Sequence, residues 1–451
     1  MSTSFSSDLP DIRPGRLAAG DYAARFADAS PPLTPAQALL EAERCLYCFD
    51  APCMTACPTA IDVPAFVRRI GDGNLRGAAR AILEANPLGG MCARVCPTET
   101  LCEQACVRTA QEGRPVAIGR LQRHAVDALM DGPRPQLFAR AAPTGRRVAV
   151  VGAGPAGLAC AHTLALHGHS VAVFDARPKA GGLNEYGLAA YKTPGDFAQR
   201  ELQWLLGVGG IDIQTGWTLE TAAQLEALRE AYDAVFLGLG LAATHRLGVP
   251  GEDLAGVEDA VDFIARLRQA EDKSLLPIGR RVVVIGGGMT AVDAAVQSKL
   301  LGAESVHIAY RRGPASMSAS KEEQHWAQTN GVAIHHGLAP LEITGSDGQA
   351  RSVTFARQAP IDGRWQPTGQ TECLAADTVL KAIGQALGNP VLREAGLAME
   401  GGRLKTDADG ATSLPGVWAG GDCRAGGLDL TVEAVAHGKR AAAAIHARLN
   451  G

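Results

Sequence analysis

The chain has no cluster of basic residues of the kind that tracks a phosphate backbone, and its formal net charge is −4. Nucleic acid is therefore not an expected ligand. Residues 1–30 lack the charged-then-apolar order of a secretory leader. Long apolar runs are scarce. The one nearly uncharged stretch, 148–166, contains Gly152, Gly154, Pro155 and Gly157, which suits a buried strand, turn and helix better than a membrane span. Together these absences predict a cytoplasmic protein that neither spans nor inserts into a bilayer. No Ser/His/Asp or paired-carboxylate pattern stands out among the scattered histidines, so hydrolytic chemistry is not expected.

What is abundant is glycine, at 53 residues in 451, and clustered cysteine: eight of the 11 lie between Cys45 and Cys106. Hydrophobic residues at 46% and charged residues at 20% are ordinary globular composition, with two or three domains expected. Residues 1–34 read as an extended polar arm. Helices are predicted over 35–44 with Thr34 as N-cap, within 61–84, and over 118–130. A Pro/Gly break near 132–135 and a linker at 143–147 follow. Beyond it, a strand at 147–151, the turn at Gly152, a helix and a strand at 171–174 form a βαβ unit. The same unit returns at 281–310, with Gly286 repeating Gly152 about 134 residues on. An α/β fold with two interleaved Rossmann-like units behind a helical N-terminal domain is the predicted class. Glycine-ended strands at 236–240 and 381–384 mark where the chain would cross between the units. The expected domains are 1–142, a split nucleotide domain of 143–242 plus 385–451, and an inserted one of 243–384.

The first cysteine group is Cys45, Cys48, Cys53 and Cys57, with Pro58 following. The second is Cys92, Cys96, Cys102 and Cys106, with Pro97 after Cys96. Soft thiolates at such density suit iron–sulfur clusters or zinc. Two structural zinc sites are the competing reading, although only Cys45/Cys48 has the C-x2-C spacing typical of zinc knuckles. A disulfide framework is the third.

Gly152, Gly154, Pro155, Ala156 and Gly157 have the residue pattern that lets a pyrophosphate approach a helix N-terminus. Asp175, 23 residues after Gly152, is placed to bind ribose hydroxyls. The second copy is Gly286, Gly288, Met289, Thr290 and Ala291. Arg311 and Arg312, rather than an acid, end its second strand, which suits a 2′-phosphate; the alternative is that they line a solvated edge and the nucleotide is NAD(H). The first unit is thus expected to hold FAD and the second NAD(P)H. Gly421 and Asp422, after a strand at 417–419, would bring a carboxylate near the ribityl–pyrophosphate region, and a helix from 431 to 449 closes the chain.

These features resemble one family along nearly the whole length: the N-terminal half of dihydropyrimidine dehydrogenase and its bacterial stand-alone flavin subunit, with the glutamate synthase small subunit as a cousin. The shared marks are the eight cysteines, GAGPAG at 152–157, GGLNEYG at 181–187, GGGMTAVD at 286–293, YRRGPASMSAS at 310–320 and GGD at 420–422. The resemblance implies two [4Fe–4S] clusters with interleaved ligands. Cys45, Cys48, Cys53 and Cys106 would hold one, and Cys57, Cys96, Cys102 and Gln122 the other, with Cys92 nearby but not a ligand. It also implies that Gly182, Leu183 and Thr431 border the flavin. Ser318 stands where NADP-using animal relatives carry a further basic residue, a departure shared with the NAD-associated bacterial subunit.

The implied function is an electron-input subunit that passes electrons between NAD(P)H, FAD and the clusters to a partner, an FMN-containing pyrimidine reductase, in a hetero-oligomer. The alternatives are a glutamate synthase small subunit and, from another class, a zinc-bearing nucleotide-binding regulator.

Overall fold

The computed structural model describes residues 10–450 and divides into two compact units. The larger comprises residues 30–185, 192–243 and the chain from Gln385 onward. Its first part is helical. Pro35–Glu43 starts from a capping box in which Thr34 and Gln37 satisfy each other's backbone N–H groups. The predicted 61–84 stretch is two helices, Val63–Gly71 and Leu75–Ala85, because Asp62 and Asn74 each cap a new start. Ile118–Met130 buries Leu121, Gln122, Ala125, Val126 and Leu129 along one side.

The sheet of this unit is wholly parallel, in the order Val417–Ala419, Ala234–Leu237, Arg147–Val151, Ser170–Asp175 and Ile211–Thr215. The strand that runs into Gly152 is the central one. Its residues Val148, Ala149 and Val150 are fully buried, as expected of a strand covered on both faces. The closing helix is Thr431–Asn450.

The smaller unit contains the chain through Ala29, the segment Tyr186–Tyr191 and Thr244–Gly384. Its parallel sheet runs Val332–His336, Ser305–Tyr310, Arg281–Gly286, Thr378–Ala382 and Val257–Asp259, again with the glycine-ended strand in the middle. The duplicated unit read from sequence is therefore present in both sheets. A three-stranded antiparallel sheet, Leu338–Ser346, Gln349–Ile361 and Arg364–Ala375, accompanies it and was not expected.

The expected N-terminal arm also differs. Ile12–Arg13 pairs with Ile278–Gly279, and Ala19–Arg25 is a helix whose Tyr22, together with Phe26, is buried. This i,i+4 aromatic pair gives an otherwise polar stretch an apolar side. The segment 186–191 is fixed in this unit by Asp293, which accepts hydrogen bonds from Tyr191 Oη at 3.1 Å and Ala189 N at 3.3 Å.

Within the larger unit Glu201, on Phe197–Leu206, is fully buried. It accepts from Gly90 N at 2.6 Å and Met91 N at 3.1 Å, at the start of the helix Gly89–Val95. Burial raises its carboxyl from the ordinary 4.5 to about 7, opposed by those two amide donors and by Arg94. The native chain therefore holds a proton that the unfolded chain has lost. Stability is predicted to fall as pH rises from about 4.5 to about 7, and Glu201→Gln to flatten that slope. Denaturant midpoints across this range check it; an unchanged slope in the variant contradicts it.

Candidate functional site

The first glycine turn stands at the carboxyl end of the central strand of the larger unit. Gly152 has φ +104°, and a Cβ there would overlap the carbonyl of Gly238, so no other residue fits without moving the backbone. The helix Pro155–Leu166 begins directly after it, with Gly154 as N-cap and Pro155 at its first position. Ala156 is buried and packs against Gly421, and Gly157 packs on the strand. Asp175 ends the neighbouring strand and accepts from Ala153 N at 2.6 Å and Arg177 N at 2.8 Å. This ties it to the turn, and a carboxylate retains acceptor capacity beyond two bonds.

Gly182 faces Gly154. Its φ is +54°, and a Cβ on it would come within 2.6 Å of Gly154 Cα. Leu183 beside it is exposed. Thr431 Oγ1 donates to Asn184 Oδ1 at 3.0 Å, which brings the start of the closing helix to this loop. Gly421 has φ +72°. Burial and neighbouring Asp429 push the Asp422 carboxyl up to about 6, against Arg403. Gly152, Gly154, Pro155, Ala156, Gly157, Asp175, Gly182, Leu183, Gly421, Asp422 and Thr431 are thus gathered around one set of turns. The cradle that side chains would fill, and the amide donors of the helix start, fit a dinucleotide pyrophosphate. Gly238 and Asn184 also belong to it; both lie in segments noted in the sequence, but neither was assigned a role because their partners, Gly152 and Thr431, are set by the fold. A separate concavity of about 320 Å³ between Arg147, Asp212 and Tyr232 lies at the opposite, amino-terminal strand ends.

The second turn repeats this design. A Cβ on Gly286 would overlap the Ala382 carbonyl, and one on Gly287 the Tyr310 ring. Gly288 caps Met289–Leu300, whose first turn holds Met289, Thr290 and the buried Ala291. Arg311 and Arg312 are exposed just past Ser305–Tyr310, with the Arg312 guanidinium 5.6 Å from the Tyr310 ring centroid. Ser318 Oγ reaches Gly287 O at 3.4 Å, so a small polar side chain, not a cation, stands beside the second glycine turn.

The cysteines gather across chain segments. Cys57, Cys96, Cys102 and Gln122 line one small cavity, together with Cys92, Asn86 and Val432. Gln122 Nε2 donates to Gly89 O at 2.6 Å, which leaves Oε1 as its acceptor atom. Cys92 takes a hydrogen bond from Asn86 Nδ2 at 3.1 Å and another contact from Cys96. Burial pushes the Cys53 thiol up to about 11, with the neighbouring Cys45 and Cys106 adding to it; the Cys45 thiol is likewise raised by burial, then by Cys48 and Cys106. Cys45 therefore has Cys48, Cys53 and Cys106 near it. Among the described residues no three His, Cys, Asp or Glu are close enough to share a single ion. The fit to iron–sulfur groups rests instead on thiol-rich donor chemistry and on this gathering. Asn86 had no sequence signal.

Residues 146–438 match the pyridine nucleotide-disulphide oxidoreductase family and residues 22–132 match dihydropyrimidine dehydrogenase domain II, 4Fe-4S cluster. The chain belongs to the pyridine nucleotide-disulphide oxidoreductase family, and it is an NAD(P)H-dependent flavoprotein subunit with iron–sulfur ligation and an electron-transfer role. More narrowly, it is 34% identical over 417 residues to the NAD-dependent dihydropyrimidine dehydrogenase subunit PreT of Salmonella typhimurium, covering 92% of this chain and 95% of that one. It is also 34% identical over 452 residues to the glutamate synthase [NADPH] small chain of Halomonas elongata, covering 96% and 94%. Among solved structures, FprA of Mycobacterium tuberculosis in complex with NADPH aligns with a TM-score of 0.57 at 19% identity, over 68% of this chain and 85% of that one, a likeness of fold. No helix of the described residues is long and apolar enough to cross a membrane.

Because Gly182 is both left-handed and against Gly154, Gly182→Val is predicted to fold yet retain little FAD. The flavin-to-protein absorbance ratio after purification reads this; full flavin content would place the cofactor elsewhere.

Proposed function

We propose that this chain is the electron-input subunit of a pyrimidine-reducing enzyme, taking electrons from NAD(P)H through FAD and two [4Fe–4S] clusters to an FMN-containing dihydropyrimidine dehydrogenase subunit, which interconverts uracil or thymine with their 5,6-dihydro forms. Residues 30–142 form its cluster domain, 143–242 with the chain from 385 onward its FAD domain, and 243–384 its NAD(P) domain, which also takes in residues 10–29 and 186–191. The observation that carries the proposal is the start of the closing helix. Thr431 bonds to Asn184 beside the flavin cradle, and the next residue, Val432, lines the cysteine cavity. Two redox sites that share consecutive residues are within reach of each other.

When bound, the flavin accepts a hydride and releases electrons singly, chemistry that belongs to the cofactor. The protein's residues bind and align. Gly152, Gly154 and the first turn of Pro155–Leu166 offer amides to the flavin pyrophosphate, and Asp175 accepts from its ribose. Gly286, Gly288 and Ala291 do the same for the nicotinamide dinucleotide, with Arg311 and Arg312 at its adenosine end. Cys45, Cys48, Cys53 and Cys106 ligate one cluster, and Cys57, Cys96, Cys102 and Gln122 the other.

Cys92 lines the same cavity as Gln122, which gives a specific second possibility for the fourth ligand. The equal identity to the Halomonas elongata small chain likewise favours, as a second reading, delivery to a glutamate synthase large subunit.

The purified protein is predicted to carry one FAD and about eight iron and eight sulfide per chain. Zinc in place of iron would reject electron transfer in favour of a structural regulator. Gln122→Ala is predicted to change the electron paramagnetic resonance signal of one cluster and leave the other. An unchanged pair of signals, with loss of one in Cys92→Ser, would assign the ligand to Cys92.

A further inference from the structure

Of the ten large apolar side chains exposed among the described residues, five fall between positions 39 and 49: Leu39, Leu40, Leu46, Tyr47 and Phe49. The helix Pro35–Glu43 inverts the usual pattern, because it buries Ala38 and Ala42 and turns Leu39 and Leu40 to solvent. The loop that follows carries Cys45 and Cys48, and between and after them Leu46, Tyr47 and the fully exposed Phe49. Tyr47 has a left-handed backbone, φ +50°, and its ring lies under Arg68, whose guanidinium is 4.7 Å from the centroid. A single exposed leucine needs no explanation, but a contiguous group does.

Three exposed carboxylates, Glu43, Asp50 and Asp72, lie on or beside this stretch; Arg44, within it, is turned to Glu41 and Glu112, and Arg68 is the cation facing Tyr47. The helix Val63–Gly71 beneath contributes Arg69, half-buried, and Asp62, exposed. The rim is therefore acidic around an apolar centre, the anatomy of a protein interface. Its location selects the occupant. Electron tunnelling falls off steeply with distance, so an acceptor must sit against the surface nearest the donor centre, and this patch is made of the residues that flank two thiols of the Cys45/Cys48/Cys53/Cys106 group.

We propose that the apolar patch Leu39–Leu40–Leu46–Tyr47–Phe49 is the docking surface for the electron-accepting subunit, which presents an apolar patch with a basic rim and takes electrons from the cluster held by Cys45 and Cys48. This rests on the proposed function above and extends it by naming where the electrons leave the chain.

The test uses the whole, cofactor-loaded protein with the FMN-containing pyrimidine reductase subunit, and ferricyanide as a small acceptor that needs no docking. Phe49→Asp and Leu40→Asp are expected to keep NAD(P)H–ferricyanide turnover and the flavin and cluster spectra. Each should raise the KM for the FMN subunit by about thirtyfold or more, the size of an interface hot spot, while Phe49→Leu stays near the unsubstituted value. Raising ionic strength should raise that KM further.

Unchanged transfer to the FMN subunit in the double variant, Leu40→Asp with Phe49→Asp, overturns the proposal. So does self-association of the unsubstituted chain that the double variant abolishes while transfer persists, because the patch would then join two copies. If the unsubstituted chain reduces ferricyanide but never the FMN subunit, the pyrimidine reading itself fails and this docking assignment falls with it.

Discussion

The contact on which the larger unit depends is the one between the closing helix Thr431–Asn450 and the helix Pro155–Leu166. At Gly438 the two approach so closely that a Cβ would overlap the Ala156 carbonyl. That approach brings the start of the closing helix to the first glycine turn, where Gly421 packs on Ala156 and Thr431 bonds to Asn184. The same helix reaches the helical segment further along, where Lys439 Nζ donates to the carbonyls of Glu84 and Ala85 at 2.8 and 2.6 Å. Those carbonyls end Leu75–Ala85, a position that favours a cation. One helix is therefore held at two places, by a glycine against one wall and a lysine against another, and Val432 faces the cysteine cavity as a result.

The cysteine cavity places unusual demands on the chain. Burial is the main cause that pushes the Cys102 and Cys53 thiols upward, and their neighbours add to it. For Cys96 the hydrogen bond with Cys92 comes first, ahead of burial. Such a group resists ionising by itself, so ligation of a cationic centre and loss of thiol protons go together. Glu201 supports the same region from beneath, holding the amides of Gly90 and Met91 at the start of the helix that carries Cys92. Arg94 of that helix lies 3.4 Å over the Phe197 ring and pairs with Asp127 at 2.6 Å.

The strands were legible because their signal is local: Arg147–Val151 and Val417–Ala419 are short apolar runs that end in glycine, and both were read with their observed bounds. Ile118–Met130 was equally legible from its periodicity. The cysteine groups were not. Spacing along the chain sorts thiols by sequence neighbourhood and gave two consecutive groups of four. In the fold, one cavity is lined by Cys57, Cys92, Cys96 and Cys102, and Ile118–Met130 delivers Gln122 to it. Only the family resemblance suggested bringing Cys57 and Gln122 together with Cys96 and Cys102. Asn86 and Gly438 act through tertiary contacts and lie outside every motif; Asn184 and Gly238 lie in segments that were singled out, but their partners are tertiary. The antiparallel sheet was missed because Arg364–Ala375 is largely polar and exposed, and Gln349–Ile361 buries only Ala350, Val353 and Phe355, too short a series to set an alternating pattern.

The account stands or falls on whether reducing equivalents from the nicotinamide reach the cysteine-bound centres within this chain. Anaerobic addition of NADH or NADPH to the purified protein, followed by low-temperature electron paramagnetic resonance, measures this directly. The account predicts that flavin bleaching is accompanied by signals of reduced [4Fe–4S] clusters, without any second protein. Flavin that bleaches fully while intact clusters stay silent, even with excess reductant, would contradict it.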